Sequence, residues 1–290
     1  MNNNLVNVID MHVHSAPSLF SREFNDFYLG RMAVKNNMQA FIIKDHDSIT
    51  SNRAYLVNDY LGSKKAYGSM VFNHSVGGFN EKVFLTAINY GIKIAWMPTN
   101  QSLFHIKNYG NTDYPKFKRE HSLPKWSGLS ILNNEGNIKS SILNILDLAR
   151  ENSICIGTGH LSPDEIRIMI RHANMELRKK MIITHVNWDI FQLNNDDIEN
   201  LKTKGVYFEI TLAPIYSQQF KSQSIKDILK LIRIIGIERC IISTDLGQVG
   251  SIDPIEAMNR ASKELYEEGL TNNELEKLFS ANAQRFLDIQ

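Results

Sequence analysis

The sequence predicts an α/β chain folded as a (β/α)8 TIM barrel, and three observations carry that expectation. Eight short apolar runs alternate with segments of helical period, at 7–13, 40–45, 69–74, 93–97, 153–158, 181–185, 206–211 and 239–244. Strands that alternate with helices pair in parallel, because a parallel neighbour needs a crossover long enough to hold a helix. With 290 residues, the chain also has the length that eight such units require. A doubly wound open sheet is the alternative, but the Gly-x-Gly-x-x-Gly turn of its dinucleotide-binding form is missing.

Several helices carry explicit boundaries. Ser162-Pro163-Asp164-Glu165 sets a capping serine before a proline at the first helical position, with a glutamate three residues on, and Asp253-Pro254-Ile255-Glu256 follows the same logic. One connection departs from the rhythm: between 100 and 137, Tyr109, Tyr114, Phe117 and Trp126 stand among Lys107, Lys116, Lys118, Arg119 and His121 with little helical period. So long an irregular insert in a compact domain is usually functional. It is read as a lid over the C-terminal end of the fourth strand. Leu129–Leu132 and the turn residues 133–136 then read as a hairpin leading into a helix over 138–151. No linker divides the chain, so a single barrel domain over 1–290 is expected, with the lid as its insertion.

Composition narrows the class. The chain is 43% hydrophobic and 22% charged, with 32 basic against 31 acidic residues, so no overall field favours nucleic acid or an anionic membrane. No apolar run reaches the roughly 20 residues of a membrane helix. No signal peptide is expected at the N-terminus. Cys155 and Cys240 lie inside apolar runs, without an adjacent base, and read as core thiols of a cytoplasmic protein. The expected partner is a small-molecule substrate, and a homo-oligomer is compatible with a barrel of this size.

The ionisable residues gather where a barrel would use them. In Val8-Ile9-Asp10-Met11-His12-Val13-His14, alternate spacing on a strand points Asp10, His12 and His14 to one face, and the two imidazoles form a metal clamp. Of nine histidines, six stand at or just past a predicted strand end: His12, His14, His46, His74, His160 and His185. Asp245 ends the eighth strand. In a parallel barrel all strand ends open on one face, so these side chains converge in one pocket. One or two divalent transition metal ions held there would lower the pKa of a water towards ~7, and Asp245 could carry its proton to the leaving group. Nitrogen and oxygen ligands suit zinc first, and also manganese, iron or cobalt.

With these residues in view, the chain resembles the amidohydrolase superfamily of metal-dependent hydrolases. The resemblance rests on the first-strand His-x-His, on Gly157-Thr158-Gly159-His160, on Ile183-Thr184-His185 and on Ser243-Thr244-Asp245, and it spans the whole chain in the family's order. His12-Val13-His14-Ser15-Ala16-Pro17-Ser18, Lys44-Asp45-His46, Trp96-Met97-Pro98-Thr99 and Asp245-Leu246-Gly247-Gln248 are similar to an uncharacterised branch of it. It implies that His12, His14 and Asp245 hold one metal, that His160 and His185 hold a second, and that Asp245 shuttles the proton. Many two-metal members bridge the ions with a carboxylated lysine or a glutamate ending strand four, but here that strand ends in Trp96-Met97-Pro98-Thr99. A carboxylated Lys44, direct ligation by His46, or a single ion would each resolve the departure.

The remaining candidates each have a plainer reading. Lys44 is most simply a rim cation paired with Asp45 or Asp47, with a catalytic place as the sharper alternative, shared with His46. Arg22 could clamp a substrate carboxylate bidentately, and His74 and Trp96 are further candidates for substrate contact. Glu209, alone in the apolar run Val206–Thr211, must be paired or near the pocket, since burying a lone carboxylate is costly. It reads as supporting a ligand. His105, His121 and His172 receive no role.

The expected function is cleavage of an amide, lactam, lactone or related ester bond by metal-activated water. A phosphoesterase of the polymerase and histidinol-phosphatase type is an alternative, since His-x-His-Ser and Lys44-Asp45-His46-Asp47 resemble its motifs. That family ends in Asp-x-His, however, whereas Leu246 and Gly247 follow Asp245. A non-hydrolytic metal-dependent decarboxylase or isomerase, and an inactive binding protein on the same barrel, complete the alternatives.

Overall fold

The structure is a computed structural model that describes residues 7–112, 125–188 and 193–289. Eight strands form one parallel sheet in sequential order: β1 (Ile9–Val13), β2 (Ala40–Ile43), β3 (Ala66–Val71), β4 (Ile92–Trp96), β5 (Cys155–Gly157), β6 (Met181–Ile183), β7 (Tyr207–Thr211) and β8 (Cys240–Ser243). Neighbouring strands pair throughout this order, as the alternating pattern requires. The barrel closes where β8 meets β1. There Asp245 N donates to the His12 carbonyl (2.7 Å) and His14 N donates to the Leu246 carbonyl (2.8 Å).

Helices cover the outside: α1 (Asp26–Lys35), α2 (Ser51–Leu61), α3 (Glu81–Asn89), α4 (Leu103–Tyr109), α5 (Ser140–Glu151), α6 (Pro163–His172), α7 (Met175–Arg178), α8 (Asn195–Lys202), α9 (Ala213–Tyr216), α10 (Ile225–Ile235) and α11 (Pro254–Glu267). The capping signals read from the sequence are realised. Ser162 and Glu165 form a reciprocal capping box at α6, and Asp253 accepts from the backbone of Ile255 and Glu256 at α11. Among the described residues no helix is long and apolar enough to cross a membrane.

Two apolar layers hold the barrel. Val13, Phe41, Ile43, Phe72, Ile156, Phe208 and Ile242 pack outwards in the cluster that includes the helices. Ile9, Met11, Ile42, Ile94, Ile182 and Ile241 fill the interior, which Ala283, Phe286, Leu287 and Ile289 of the C-terminal segment stopper. Burying a side chain the size of Phe286 contributes about 1.5–3 kcal/mol. The apolar floor leaves the opposite end of the cylinder to polar groups.

Two expectations need correction. The third strand begins at Ala66 rather than 69, because its pairing with β2, Phe41 to Ala66 and Ile42 to Tyr67, sets its start, not the apolar run centred on Val71. Strict alternation along β1 also fails. Its register shifts between Asp10 and Val13, so Met11 stays in the interior layer while His12 turns into the pocket, and Asp10 faces the seam. There the Asp10 carboxylate accepts from Thr244 N (3.1 Å) and Thr244 Oγ1 (2.5 Å), which ties β1 to β8.

The stretch after β4 is more regular than its sequence suggests, since it opens with α4. Its base is closed by Leu103 N donating to the Leu129 carbonyl (2.7 Å) and Leu129 N to the Gln101 carbonyl (2.8 Å). An antiparallel bridge between Leu132 and Ile138 makes the anticipated hairpin, and α5 begins at Ser140. Tyr114, Lys116, Phe117, Lys118, Arg119 and His121 of the proposed lid lie outside the described residues.

Candidate metal centre

Three of the expected donors converge on the carboxylate of a fourth. Asp245 Oδ1 lies 3.0 Å from both His12 Nε2 and His14 Nε2, and Oδ2 lies 3.4 Å from His185 Nε2. All four side chains are buried. The strand ends bring them together across up to 233 positions of sequence, from His12 to Asp245. Both His185 and Asp245 adopt left-handed backbone, with φ of 51° and 52°. Non-glycine residues rarely do so, and such strain persists only where surrounding contacts hold it. Here His185 N donates to Glu209 Oε2 (3.2 Å) and Asp245 N to the His12 carbonyl.

Glu209 is the residue that sequence reasoning underweighted. Its Oε1 lies 3.0 Å from His12 Nδ1, and no part of it is exposed. A carboxylate on Nδ1 keeps the proton there, so the lone pair of His12 Nε2 faces the centre. The signal in the sequence was a single acid in an apolar strand, which cannot stay unpaired.

Lys44 departs from its simplest reading. Arg53 meets Asp45 instead, at 3.2 Å, while Lys44 Nζ lies 2.9 Å from His12 Nε2 and 4.6 Å above the Trp96 ring. Burial, opposed by Asp245 and Glu209, pushes the lysine down to about 8. Strand periodicity explains the difference, because residue 44 continues the inward set of Ala40 and Ile42.

Other candidates divide by position. Trp96 is fully buried, its ring 5.1 Å from that of His12 and 4.6 Å from Lys44 Nζ. His46 stacks on His14 at 4.9 Å and shares a hydrogen bond with Thr99 Oγ1 (2.9 Å). His74 stacks on Trp126 at 4.9 Å, outside the donor cluster. Arg22 Nη2 lies 3.2 Å from His14 Nδ1, and its Nε has no hydrogen-bond partner among the described residues. His160 stands in neither triad of close donors. Its ring lies 5.3 Å from that of His185, and its Nδ1 lies 2.9 Å from Nδ1 of His105, a residue given no role by the sequence.

The electrostatics put all of these groups but one in the form that ligands need. Burial opposes ionisation of Asp245, but His12 and His185 with the hydrogen bonds from His12 and His14 outweigh it and hold the carboxyl well below its usual range. Burial keeps His14, His46 and His160 neutral and pushes His185 down to about 3. His12 is the exception: burial is overcome by Asp245 and Glu209, which raise it. Two triads, His12–His14–Asp245 and His12–His185–Glu209, have ligand atoms within 4.8 Å of one another. Neutral imidazoles beside an ionised carboxylate fit a divalent transition metal.

The eight-stranded parallel barrel is similar in fold to several solved structures of hydrolases. An amidohydrolase from Pseudomonas aeruginosa superimposes with a TM-score of 0.62 at 13% identity, covering 98% of this chain and 96% of that one. The probable dipeptidase PvdM from Pseudomonas aeruginosa gives 0.67 at 10%, covering 98% and 95%. Organophosphorus hydrolase from Deinococcus radiodurans gives 0.56 at 12%, covering 98% and 93%. Such identities establish the fold. By sequence the chain belongs to the family described as "Family of unknown function (DUF6282)", which matches residues 7–209. No curated protein matches it in sequence.

Proposed function

We propose that this chain is a metal-dependent hydrolase that cleaves an amide, lactam, lactone or related ester of a small molecule. The observation that carries the reading is the meeting of His12, His14 and His185 on the two oxygens of Asp245. His12, His14 and Asp245 would hold one divalent ion, with zinc best suited, and His160 and His185 a second. When bound, such an ion activates water and polarises the bond under attack. Asp245, ionised and at the focus of the pocket, accepts the proton of the attacking water and delivers it to the leaving group. Glu209 holds the His12 tautomer. Lys44, if carboxylated, would supply the ligand that strand four lacks, since its Nζ lies 2.9 Å from His12 Nε2 whereas His46 is turned to Thr99. The buried thiols of Cys155 and Cys240 suit a reducing cytoplasm.

Metal analysis of protein purified without chelator tests the reading. Stoichiometric transition metal is expected, lost in His12→Ala, with turnover of amides, lactones or esters that a chelator abolishes and added zinc, manganese or cobalt restores. Metal-free protein, or turnover of phosphate monoesters alone, would overturn it.

Arg22 narrows the substrate class. Burial pushes its guanidinium down to about 10, and a partly buried cation with an unused Nε beside His14 is suited to a substrate carboxylate. A charge-assisted hydrogen bond contributes about 1.5–3 kcal/mol. Arg22→Met is therefore expected to raise KM for carboxylate-bearing substrates about 10- to 100-fold and to leave their uncharged analogues nearly unchanged. Equal losses for both would remove Arg22 from substrate recognition.

A further inference from the structure

We infer that His105, on the helix that opens the excursion after β4, is a positioning residue that orients His160 for metal binding. The inference rests on reading His160 as a ligand of the second ion. At 2.9 Å, the two Nδ1 atoms share one proton. An ion on His160 needs the lone pair of Nε2, and a neutral imidazole with a free Nε2 lone pair carries its proton on Nδ1. His160 Nδ1–H then donates to His105 Nδ1, which fixes both the tautomer and the angle of the His160 ring. Glu209 stands behind His12 in the same way. An acceptor behind a metal-bound imidazole is the usual arrangement, filled here from the excursion rather than from the barrel.

The pair is set by contacts independent of the rings. Ser102 Oγ accepts from His105 N (3.0 Å) at the start of α4 and donates to the His160 carbonyl (2.7 Å). His160 N in turn donates to the Pro98 carbonyl (2.8 Å). One serine thus locks the helix to the β5 end. The His105 ring also lies 5.3 Å from Tyr109 on the next turn of α4, so its direction is held from the other side. The consequence is that the seating of α4 and binding of the second ion are coupled.

Two variants separate the hydrogen bond from the packing. His105→Phe keeps a ring against Tyr109 and removes the acceptor; His105→Asn loses the ring and keeps an acceptor near the position of Nδ1. Full-length protein, stripped of metal, is titrated with cobalt(II), read by visible absorption and by metal stoichiometry, with circular dichroism to establish folding. The wild type is expected to take up two ions. His105→Phe should weaken the second about 10- to 100-fold and alter its absorption bands, the cost typical of losing an outer partner, and His105→Asn should restore most of the affinity. If His105→Phe binds both ions as the wild type does, or His105→Asn fares no better than His105→Phe, the inference falls while the metal reading stands. If His105→Phe loses the second ion as completely as His160→Ala, His105 is itself a ligand and the positioning role is wrong. A wild type that binds one ion overturns the role of His160 and this inference with it, and one that binds none overturns the proposed function as well.

Discussion

Asp245→Asn is expected to lower kcat by about 10²–10⁴-fold, the range that a positioned acid–base group contributes. The substitution keeps the shape of the side chain and removes its charge. It acts at the one atom shared by His12 and His14, because Oδ1 lies 3.0 Å from Nε2 of each. An amide in that place has one neutral oxygen to offer a cation and cannot accept a proton from water at neutral pH. Metal content should fall in parallel, so the assay is run with excess metal and the stoichiometry measured on the same sample. A variant that retains kcat within tenfold of the wild type while fully loaded would show that another group moves the proton. Lys44, with its nitrogen 2.9 Å from His12 Nε2, would then be the first residue to substitute.

Gly247→Ala should be the most damaging change outside the donors. Gly247 has a φ of +121°, and a Cβ built there would lie 1.8 Å from the carbonyl oxygen of His14 and 2.7 Å from its carbonyl carbon. No rotamer relieves such an overlap, because both partners are backbone. Either the end of β1 moves, taking His14 with it, or the 245–248 loop moves, taking Asp245. Overpacking costs about 1–3 kcal/mol and a left-handed alanine about 1–3 more. A loss of about 2–6 kcal/mol follows, or a fall in Tm of at least about 4 °C for a chain of this size. Gly91→Ala is the control, since its φ of +80° is also left-handed but nothing lies within 4 Å of the added carbon. Its cost should stay near 1–2 kcal/mol, and metal affinity should be untouched. Equal effects at both positions would mean that backbone strain alone, and not the approach to His14, accounts for the loss.

Different kinds of information lie behind what was legible and what was not. Alternation of apolar runs with helical segments carries the parallel barrel, because crossover length and strand pairing are properties of the chain as written. The same logic places His12, His14, His185 and Asp245 at one mouth, since every strand of such a barrel ends on the same face. Lys44 was legible by direction, as the next inward residue after Ala40 and Ile42, but its chemistry pulled the reading towards the solvent and the neighbouring acids. His105 gave no signal, because nothing in a stretch of weak periodicity says that it folds into a helix with one face on β5.

By itself, then, the amino-acid order determined the eight-fold architecture, the end of the cylinder where the ionisable groups meet, and the need for Glu209 to find a partner. Tertiary structure alone decided that Asp10 seals the seam between β1 and β8, that Trp96 lies beside His12 and Lys44, and that Glu209 chooses His12. It also decided that His160 turns to His105. The physical reason is that periodicity assigns a side chain to a face, whereas a hydrogen bond depends on ångström-scale approach between segments whose separation no local pattern encodes.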